Sequence, residues 1–413
     1  MTHTDRTTLF TALSVQRKNL HAAKNLPKKV DLVVAGAGPG GLYAAVQALN
    51  RGLTVHVFDK KTVIGIPVKC GEYFPVRKEM AYLLPSAGEY MHVFDVPQEA
   101  VDNECKTIRV ISPKGKEFEF DFEAYILDRT KLEQSMAKKV EKLGGTVQLQ
   151  TPVDLYYENG NLTVGRNKSD GVKAKVVIAA DGFPSKVAKS AGILTDDYMT
   201  PNNVAINYEY LMTDLSVDQS VTEMYMGTEF APGGYGWIIP KGNRSANVGI
   251  GIRTSYSKKN DGRSYLRFFL DTCSLTKLKL ENGKSGPMIA DVLPVDGPLP
   301  RTCSEHVMAV GDAGGMVMPT NGGGISTAMI TGEIAGQVAA DHIQKGVPLS
   351  EYEKRWKQAL GKEMIVSTKL RRLADHFMGN DLVFHLLLQV LGTQGIKDVI
   401  TCRAPRGLGP FVS

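Results

Sequence analysis

The stretch Val30–Asp59, VDLVVAGAGPGGLYAAVQALNRGLTVHVFD, decides the fold of this chain. Val30–Ala35 is a short β-branched apolar run set between Lys28–Lys29 and a glycine cluster, the pattern of a strand buried on both faces. Leu42–Leu49 has helical composition and Thr54–Asp59 returns to strand, giving a βαβ unit of about 30 residues, which requires a parallel sheet. Between the first strand and the helix stands Gly36-Ala37-Gly38-Pro39-Gly40-Gly41, a G-x-G-x-x-G turn. There, Gly36 permits the tight turn, Gly38 lets a pyrophosphate approach the backbone, and Gly41 lets helix pack on sheet, with Pro39 opening the helix. The free N–H groups of the helix start favour phosphate. An acid is then expected about 20 residues on to meet the ribose hydroxyls, and Asp59, followed by Lys60, occupies that place. A purely structural turn competes with this reading, but the βαβ setting favours dinucleotide binding.

The remaining composition bounds the answer. At 413 residues the chain exceeds the ~250–300 residues that one core usually serves, so two domains are expected. A net charge of +6, 43% hydrophobic and 22% charged residues are ordinary globular values, which argues against disorder and against a nucleic-acid partner. The 42 glycines are the unusual entry and ask where backbone turns tightly or approaches a ligand. Cys70, Cys105, Cys273, Cys303 and Cys402 are scattered without a C-x-x-C pair, so neither a disulfide framework nor a metal site is signalled, and a reducing cytoplasm fits. The N-terminal stretch carries Arg6, Arg17, Lys18 and Lys24 without an apolar core, and no window approaches the ~18 apolar residues of a membrane span. The expectation is a cytoplasmic protein, soluble or peripheral on the inner face of the cell membrane.

Further strand and helix signals organise the chain. Tyr125–Leu127 leads into a helix over Arg129–Leu143, stopped by Gly144–Gly145 and followed by a strand at Thr146–Leu149, read as a second strand–helix–strand stretch of the first domain. Lys173–Ala180 and Val307–Val310 read as buried strands, and Ile325 to about Ala340 as a small-residue helix. From Asn202 to Arg253 the pattern changes to alternating segments such as Val204–Tyr210 and Ala246–Ile252, which predicts an antiparallel sheet. The fold class is therefore α/β: a discontinuous Rossmann-like nucleotide-binding domain (28–95, 125–200 and 300–345), an inserted antiparallel substrate-binding sheet (96–124 and 201–299), and C-terminal helices (346–413).

Three motifs in order narrow the nucleotide. Arg129 opens a helix in LDRTKLEQSM, Asp181-Gly182 is followed by Ser185, and Gly311-Asp312-Ala313 ends a strand. Singly each is a common capping pattern, but together they resemble the arginine helix, DG and GD motifs of the flavoprotein group typified by para-hydroxybenzoate hydroxylase. That resemblance implies FAD, with Asp312 at the flavin ribitol.

Two local strings point further: Val68-Lys69-Cys70-Gly71-Glu72, and Pro232-Gly233-Gly234-Tyr235-Gly236-Trp237-Ile238-Ile239-Pro240-Lys241. They are similar to the Cys-Gly-Glu loop and the P-x-x-Y-x-W-x-F-P signature of the geranylgeranyl reductase family, with Ile239 replacing the usual Phe. Within that family the resemblance is to the archaeal digeranylgeranylglycerophospholipid reductases, enzymes of membrane phospholipid biosynthesis. Pro319–Ile325 matches the family's glycine-rich flavin loop, so Gly323, Gly324 and Ile325 join the expected cofactor residues. The resemblance implies an FAD-dependent oxidoreductase that saturates isoprenoid C=C bonds, with catalytic Cys70, Gly71 and Glu72 and substrate contacts at Tyr235, Trp237 and Pro240. Tyr235 and Trp237 alternate along a strand and so share a face, either as an aromatic wall or as core. Cys70 reads as a proton donor, a thiol that gates the flavin, or a small buried hydrophobe, and Glu72 as an orienter of the loop.

Gly249-Ile250-Gly251 lies inside a strand and reads as close backbone packing, so no second dinucleotide turn is present, and NAD(P)H or a ferredoxin-like carrier is the expected reductant. The basic run Lys354, Arg355, Lys357, Lys362, Lys369, Arg371 and Arg372 is either a site for lipid headgroups or an acidic carrier, or a solvated face balanced by Glu351, Glu353 and Glu363. The rival enzyme reading is an FAD monooxygenase or halogenase, since Trp237–Pro240 reads W-I-I-P. A halogenase would carry Trp where Tyr235 stands.

Overall fold

The computed structural model describes residues 27–158, 160–257 and 261–409. The N-terminal basic residues Arg6, Arg17, Lys18 and Lys24 lie outside them. Along the chain run β1 (Lys29–Ala35), α1 (Pro39–Asn50), β2 (Val55–Phe58), β3 (Tyr73–Pro75), β4 (Val101–Ile111), β5 (Glu117–Leu127), α2 (Arg129–Lys142) and β6 (Thr146–Gln148). Then come β7 (Asp154–Glu158), β8 (Asn161–Gly165), β9 (Val172–Ala179), β10 (Val204–Thr213), β11 (Val221–Tyr225), β12 (Tyr235–Gly242), β13 (Ser245–Arg253), β14 (Lys284–Ser285), β15 (Ile289–Pro294) and β16 (Val307–Ala309). Three long helices close the chain: α3 (Ile325–Lys345), α4 (Glu351–Ala374) and α5 (Asp381–Ile400).

The first sheet has the order β6-β2-β1-β9-β8-β7. Its centre is parallel, and β1 is buried on both faces as its sequence requires, with Leu32, Val33 and Val34 fully enclosed. The first half of β9 pairs β8 antiparallel and its second half pairs β16 parallel, so the chain returns to this sheet about 130 residues after leaving it. On one face α3 packs along α1, Gly332 against Gly40 and Gly336 against Ala44. The N-termini of both helices open on the same cavity.

The second sheet has the order β14-β10-β13-β12-β11-β4-β5-β3, with β15 also on β10. It is antiparallel throughout except where β11 runs parallel to β4. Tyr125–Leu127 requires a correction: it is the end of β5, a strand of this second sheet, not of the first. Glu117–Leu127 reads EFEFDFEAYIL, and its alternation of exposed and buried residues from Glu117 to Ala124 is that of a sheet covered on one side. Three residues taken alone are too few to show that period. Tyr73–Pro75 likewise pairs with β5. The chain therefore passes from the second sheet into α2 and then to β6 of the first, and Arg129 stands at that crossing.

Candidate active site: a dinucleotide cradle joined to an apolar cavity

One continuous cavity of about 760 Å³ joins the two sheets. Its first end is the cradle expected from the sequence. Gly36, Gly38, Pro39, Gly41, Asp59, Lys60, Arg129, Asp181, Gly182, Gly311, Asp312, Gly323, Gly324 and Ile325 all line it. Gly36 has φ +115°, and a side chain there would collide with the carbonyl of Ala180. At Gly38, by contrast, a Cβ would meet no protein atom within 4 Å. The helix it precedes has no side-chain cap, so its first N–H groups are open to an anion. The N-cap of α3, Gly324, is equally without a side-chain cap. This reserved space over two helix starts fits the pyrophosphate of FAD and a negatively charged reduced flavin.

The acidic residues of the cradle differ in their bonding. Asp59 accepts the Ala37 N–H at 2.7 Å and the Lys61 N–H at 2.7 Å, so it holds the glycine turn as well as facing the cavity. Asp181 accepts from the Ser185 hydroxyl and from the N–H groups of Lys186 (2.9 Å) and Val187 (3.3 Å), capping the short helix that follows, while burial pushes its carboxyl up. Asp312 is pushed up to about 6, first by burial and then by Asp291.

The loop 68–72 lies where cradle and apolar region meet. Glu72, buried and with φ 61°, is its anchor. One carboxylate oxygen accepts the Arg129 N–H at 2.9 Å, and the other is paired with the Lys241 ammonium and the Asn247 amide (3.1 Å). Lys241 also donates to the Leu127 carbonyl at 2.6 Å. The Cys70 sulfur accepts the Glu72 N–H at 3.2 Å. Burial raises the Cys70 thiol above its ordinary value, and the Arg129 guanidinium partly offsets this, so the protonated thiol is held at neutral pH. Arg129 is ion-paired with Glu133, while its Nε is buried without a partner.

Beyond the loop the walls are apolar. Tyr235 and Trp237 project from β12 with ring centroids 6.0 Å apart at 63°, and both line the cavity. Tyr235 Oη donates to the Asn321 carbonyl at 2.6 Å, tying the second sheet to the glycine-rich loop before α3. Gly71 packs on Ile239 and beside the Trp237 indole, so the loop and the β12 signature form one wall. Ile108, Val110, Phe122 and Met224 continue the apolar surface, and Phe384, Leu388 and Leu391 of α5 cover it.

Pro240 is a correction: it does not line the cavity. It is buried at an irregularity of β12, where its carbonyl accepts the Asn103 amide at 2.9 Å, and Ile239 takes the wall position. Four further residues of the site lie outside the sequence motifs' predicted roles. Lys241 and Asn247 hold Glu72, Asp291 faces Asp312, and Glu209 lies behind Cys70. For Glu209 the signal was a carboxylate in mid-strand opposite a glycine, which becomes legible only once the register is known. Among the described residues no group of three His, Cys, Asp or Glu is placed to hold a metal ion.

The glycine turn, the Asp-Gly and Gly-Asp strand ends and the joined cavity define a flavoprotein built on an FAD-binding Rossmann-like fold. Residues 203–284 match the model of the geranylgeranyl reductase catalytic domain, and residues 34–99 that of the NAD(P)-binding Rossmann-like domain. The chain is 33% identical over 398 residues to the digeranylgeranylglycerophospholipid reductase of Methanocella arvoryzae, covering 91% of this chain and 97% of that one. With the enzyme of the same name from Methanothrix thermoacetophila it shares 33% over 369 residues, covering 86% and 90%. The chain belongs to the digeranylgeranylglycerophospholipid reductase family. A crystal structure of a geranylgeranyl bacteriochlorophyll reductase-like protein from Thermoplasma acidophilum superposes with a TM-score of 0.79 at 25% identity, covering 93% of this chain and 99% of that one. A halogenase in complex with phloroglucinol and FAD reaches 0.67 at 12% identity, covering 90% and 82%, a likeness of fold alone.

Proposed function

We propose that this protein is an FAD-dependent reductase that saturates the C=C bonds of geranylgeranyl chains on membrane phospholipids. The observation that carries this reading is the single cavity in which a dinucleotide cradle runs into an aromatic and aliphatic wall, with the Cys70–Glu72 loop at the junction. When bound, reduced FAD supplies a hydride. The chain's own residues do the rest. Tyr235, Trp237 and the apolar walls exclude water and orient an isolated alkene that has no carbonyl to stabilise charge. Cys70, kept as the thiol, supplies the proton to the second carbon. Glu72 does not transfer protons in this scheme, because Arg129, Lys241 and Asn247 engage both its oxygens; it fixes the loop. The cradle residues expected from the sequence hold the cofactor, with Asp312 and the start of α3 beside the flavin.

The lipid is delivered at a membrane surface through α5. Leu382, Val383, Leu386 and Val390 are exposed on this helix, 57, 42, 51 and 86%, while Phe384, Leu387, Leu388 and Leu391 of the same helix line the cavity. The basic run in α4 is less suited to headgroups. Arg371 and Arg372 are paired with Asp296, Arg355 with Asp341 (2.9 Å), Lys354 with Glu351 (3.5 Å) and Lys357 with Glu353 (3.5 Å). Among the described residues no helix is long and apolar enough to cross a membrane. Replacing Leu386 and Val390 by Ser should reduce co-sedimentation with anionic liposomes several-fold and leave the thermal midpoint unchanged. Equal binding by the variant would remove α5 from the reading.

Electrons come from outside the chain, from NAD(P)H or a ferredoxin-like carrier, and steady-state assays with each donor distinguish them. The function itself is tested by mixing chemically reduced holoprotein anaerobically with geranylgeranyl phospholipid and following the lipid by mass spectrometry. A gain of two hydrogens per double bond is expected. Lipid left unreduced, with hydroxylated or halogenated product formed only when oxygen and halide are admitted in a parallel sample, would overturn the proposal in favour of the monooxygenase or halogenase reading.

A further inference from the structure

The loop that carries Cys70 separates two cavities. Val68, Cys70 and Glu72 line the main cavity and also a smaller one of about 210 Å³ behind it, walled in addition by Glu209, Lys241 and Asn247. Glu209 reaches this place through the register of the second sheet. Trp237, Gly249 and Glu209 stand opposite one another on β12, β13 and β10 and share a face. Gly249 presents no side chain, so the Trp237 ring and the Glu209 stem both close over it. Glu209 is 5% exposed, its Oε2 has no hydrogen-bond partner, and the Cys70 backbone N–H is directed at its carboxyl.

Several titratable and charged groups face this carboxyl. Cys70 and Glu72 approach from the loop, Arg129 from the start of α2, and Asp291 from β15, while Lys241, Asp102 and Asp128 stand across the small cavity. Burial raises the Glu209 carboxyl to about 7, Glu72 and Asp291 add to this, and the Cys70 N–H and Arg129 oppose it. The other acids of the small cavity are committed. Glu72 is held on both oxygens, Asp102 is ion-paired with Lys241 at 3.1 Å, and Asp128 accepts the Lys131 N–H at 3.0 Å and pairs with the Lys131 ammonium at 2.9 Å. Glu209 alone among these four keeps an unengaged, buried oxygen beside the thiol.

We propose that Glu209 resupplies Cys70 with the proton that Cys70 gives up in the main cavity, drawing its own proton from water in the small cavity. The inference rests on the reading of Cys70 as proton donor. The proton balance is simple: the thiol S–H gives its proton to the alkene carbon, the resulting thiolate takes the carboxylic acid proton, and the carboxylate is reprotonated by water. Both electrons enter with the hydride from the reduced cofactor. Glu209 acts through Cys70 and is a positioning and relay residue, not one that touches substrate.

The test uses holoprotein and the variants Glu209→Gln, Glu209→Asp and Cys70→Ser. Infrared difference spectra should show a protonated carboxyl band that titrates near pH 7 in the wild type and is missing in E209Q. Multiple-turnover rates with geranylgeranyl phospholipid should fall in the wild type as pH rises through about 7. E209Q should be slower by about ten-fold or more and lose that inflection, whereas E209D should retain it. A C70S variant with full turnover would remove the donor reading on which the relay depends. Inactive C70S together with E209Q at the wild-type rate, with its inflection intact, would overturn the relay alone. Flavin absorbance of E209Q equal to that of the wild type, with a thermal midpoint no lower than the wild type's, confirms that its loss is not one of folding.

Discussion

Gly38 and Glu209 show how much a single position determines. At Gly38 space is left for a ligand and for nothing in the protein, since an added Cβ meets no atom within 4 Å. Gly38→Val should therefore keep the urea midpoint of the cofactor-free wild type while losing flavin absorbance after gel filtration; retained flavin would show that the pyrophosphate lies elsewhere. At Glu209 the protein favours the neutral acid, raised from 4.5 to about 7. Because the folded state binds the proton more tightly than the unfolded chain, this contribution to stability is full below about pH 4.5 and is lost as pH rises through about 7. The loss is on the order of 3 kcal/mol. Urea titrations at pH 5 and pH 8 should show Glu209→Gln gaining relative to wild type at the higher pH by about that amount. A pH-independent difference would show that the carboxyl is ionised throughout. Gly36, Asp59, Asp181 and Asp312 were legible in the sequence because each task needs one residue type at a fixed spacing from a strand end. Glu209 was not, because its neighbours come from residues 70, 237 and 249, which only the sheet register brings together.

At the scale of elements, β12, β13 and β10 make the wall of the site as a set. Their pairing places the Trp237 ring over Gly249, where a Cβ would come within 2.5 Å of the indole and 2.7 Å of the Glu209 stem. Both neighbours are buried and cannot swing out, so Gly249→Ala should cost about 1–3 kcal/mol by overpacking. Trp237 is one of two tryptophans, the other being the buried Trp356. Displacement of the indole should therefore appear as a changed emission spectrum of the native variant, and an unchanged spectrum would mean that the sheet accommodates the methyl without moving the wall. Alternation reveals β10 and β13 in the sequence, since on each strand every second residue is apolar and joins the same hydrophobic core. It concealed the allegiance of Tyr125–Leu127, because three apolar residues before a helix look the same in either sheet. In α5 the apolar residues are legible as helix, but not which of them face the cavity and which face outward. The helix is apolar around much of its circumference and kinks at Gly392, where φ is 60°.

At the scale of the whole molecule, the cofactor site belongs to neither sheet alone. Arg129 sits where the chain crosses from β5 to α2, Tyr235 of the second sheet donates to Asn321 in the glycine-rich loop, and Lys241 of β12 fixes Glu72 beside the cradle. Length alone suggests two domains, but not these crossing contacts, which join residues as far apart as 72 and 241. FAD binding should consequently stabilise both sheets together. At a free concentration a hundred-fold above Kd, a ligand that binds only the native state adds about 2.7 kcal/mol. Thermal unfolding of the FAD-saturated protein should shift upward as one transition, whether it is followed through the Trp237 emission of a Trp356→Phe variant or through cofactor release. Two separated transitions, with only the flavin signal moving, would show that the sheets unfold independently and that the contacts of Tyr235 and Lys241 do not couple them. Because Gly38→Val alters the cradle without touching those contacts, its unfolding should match the cofactor-free wild type and stay fixed when FAD is added.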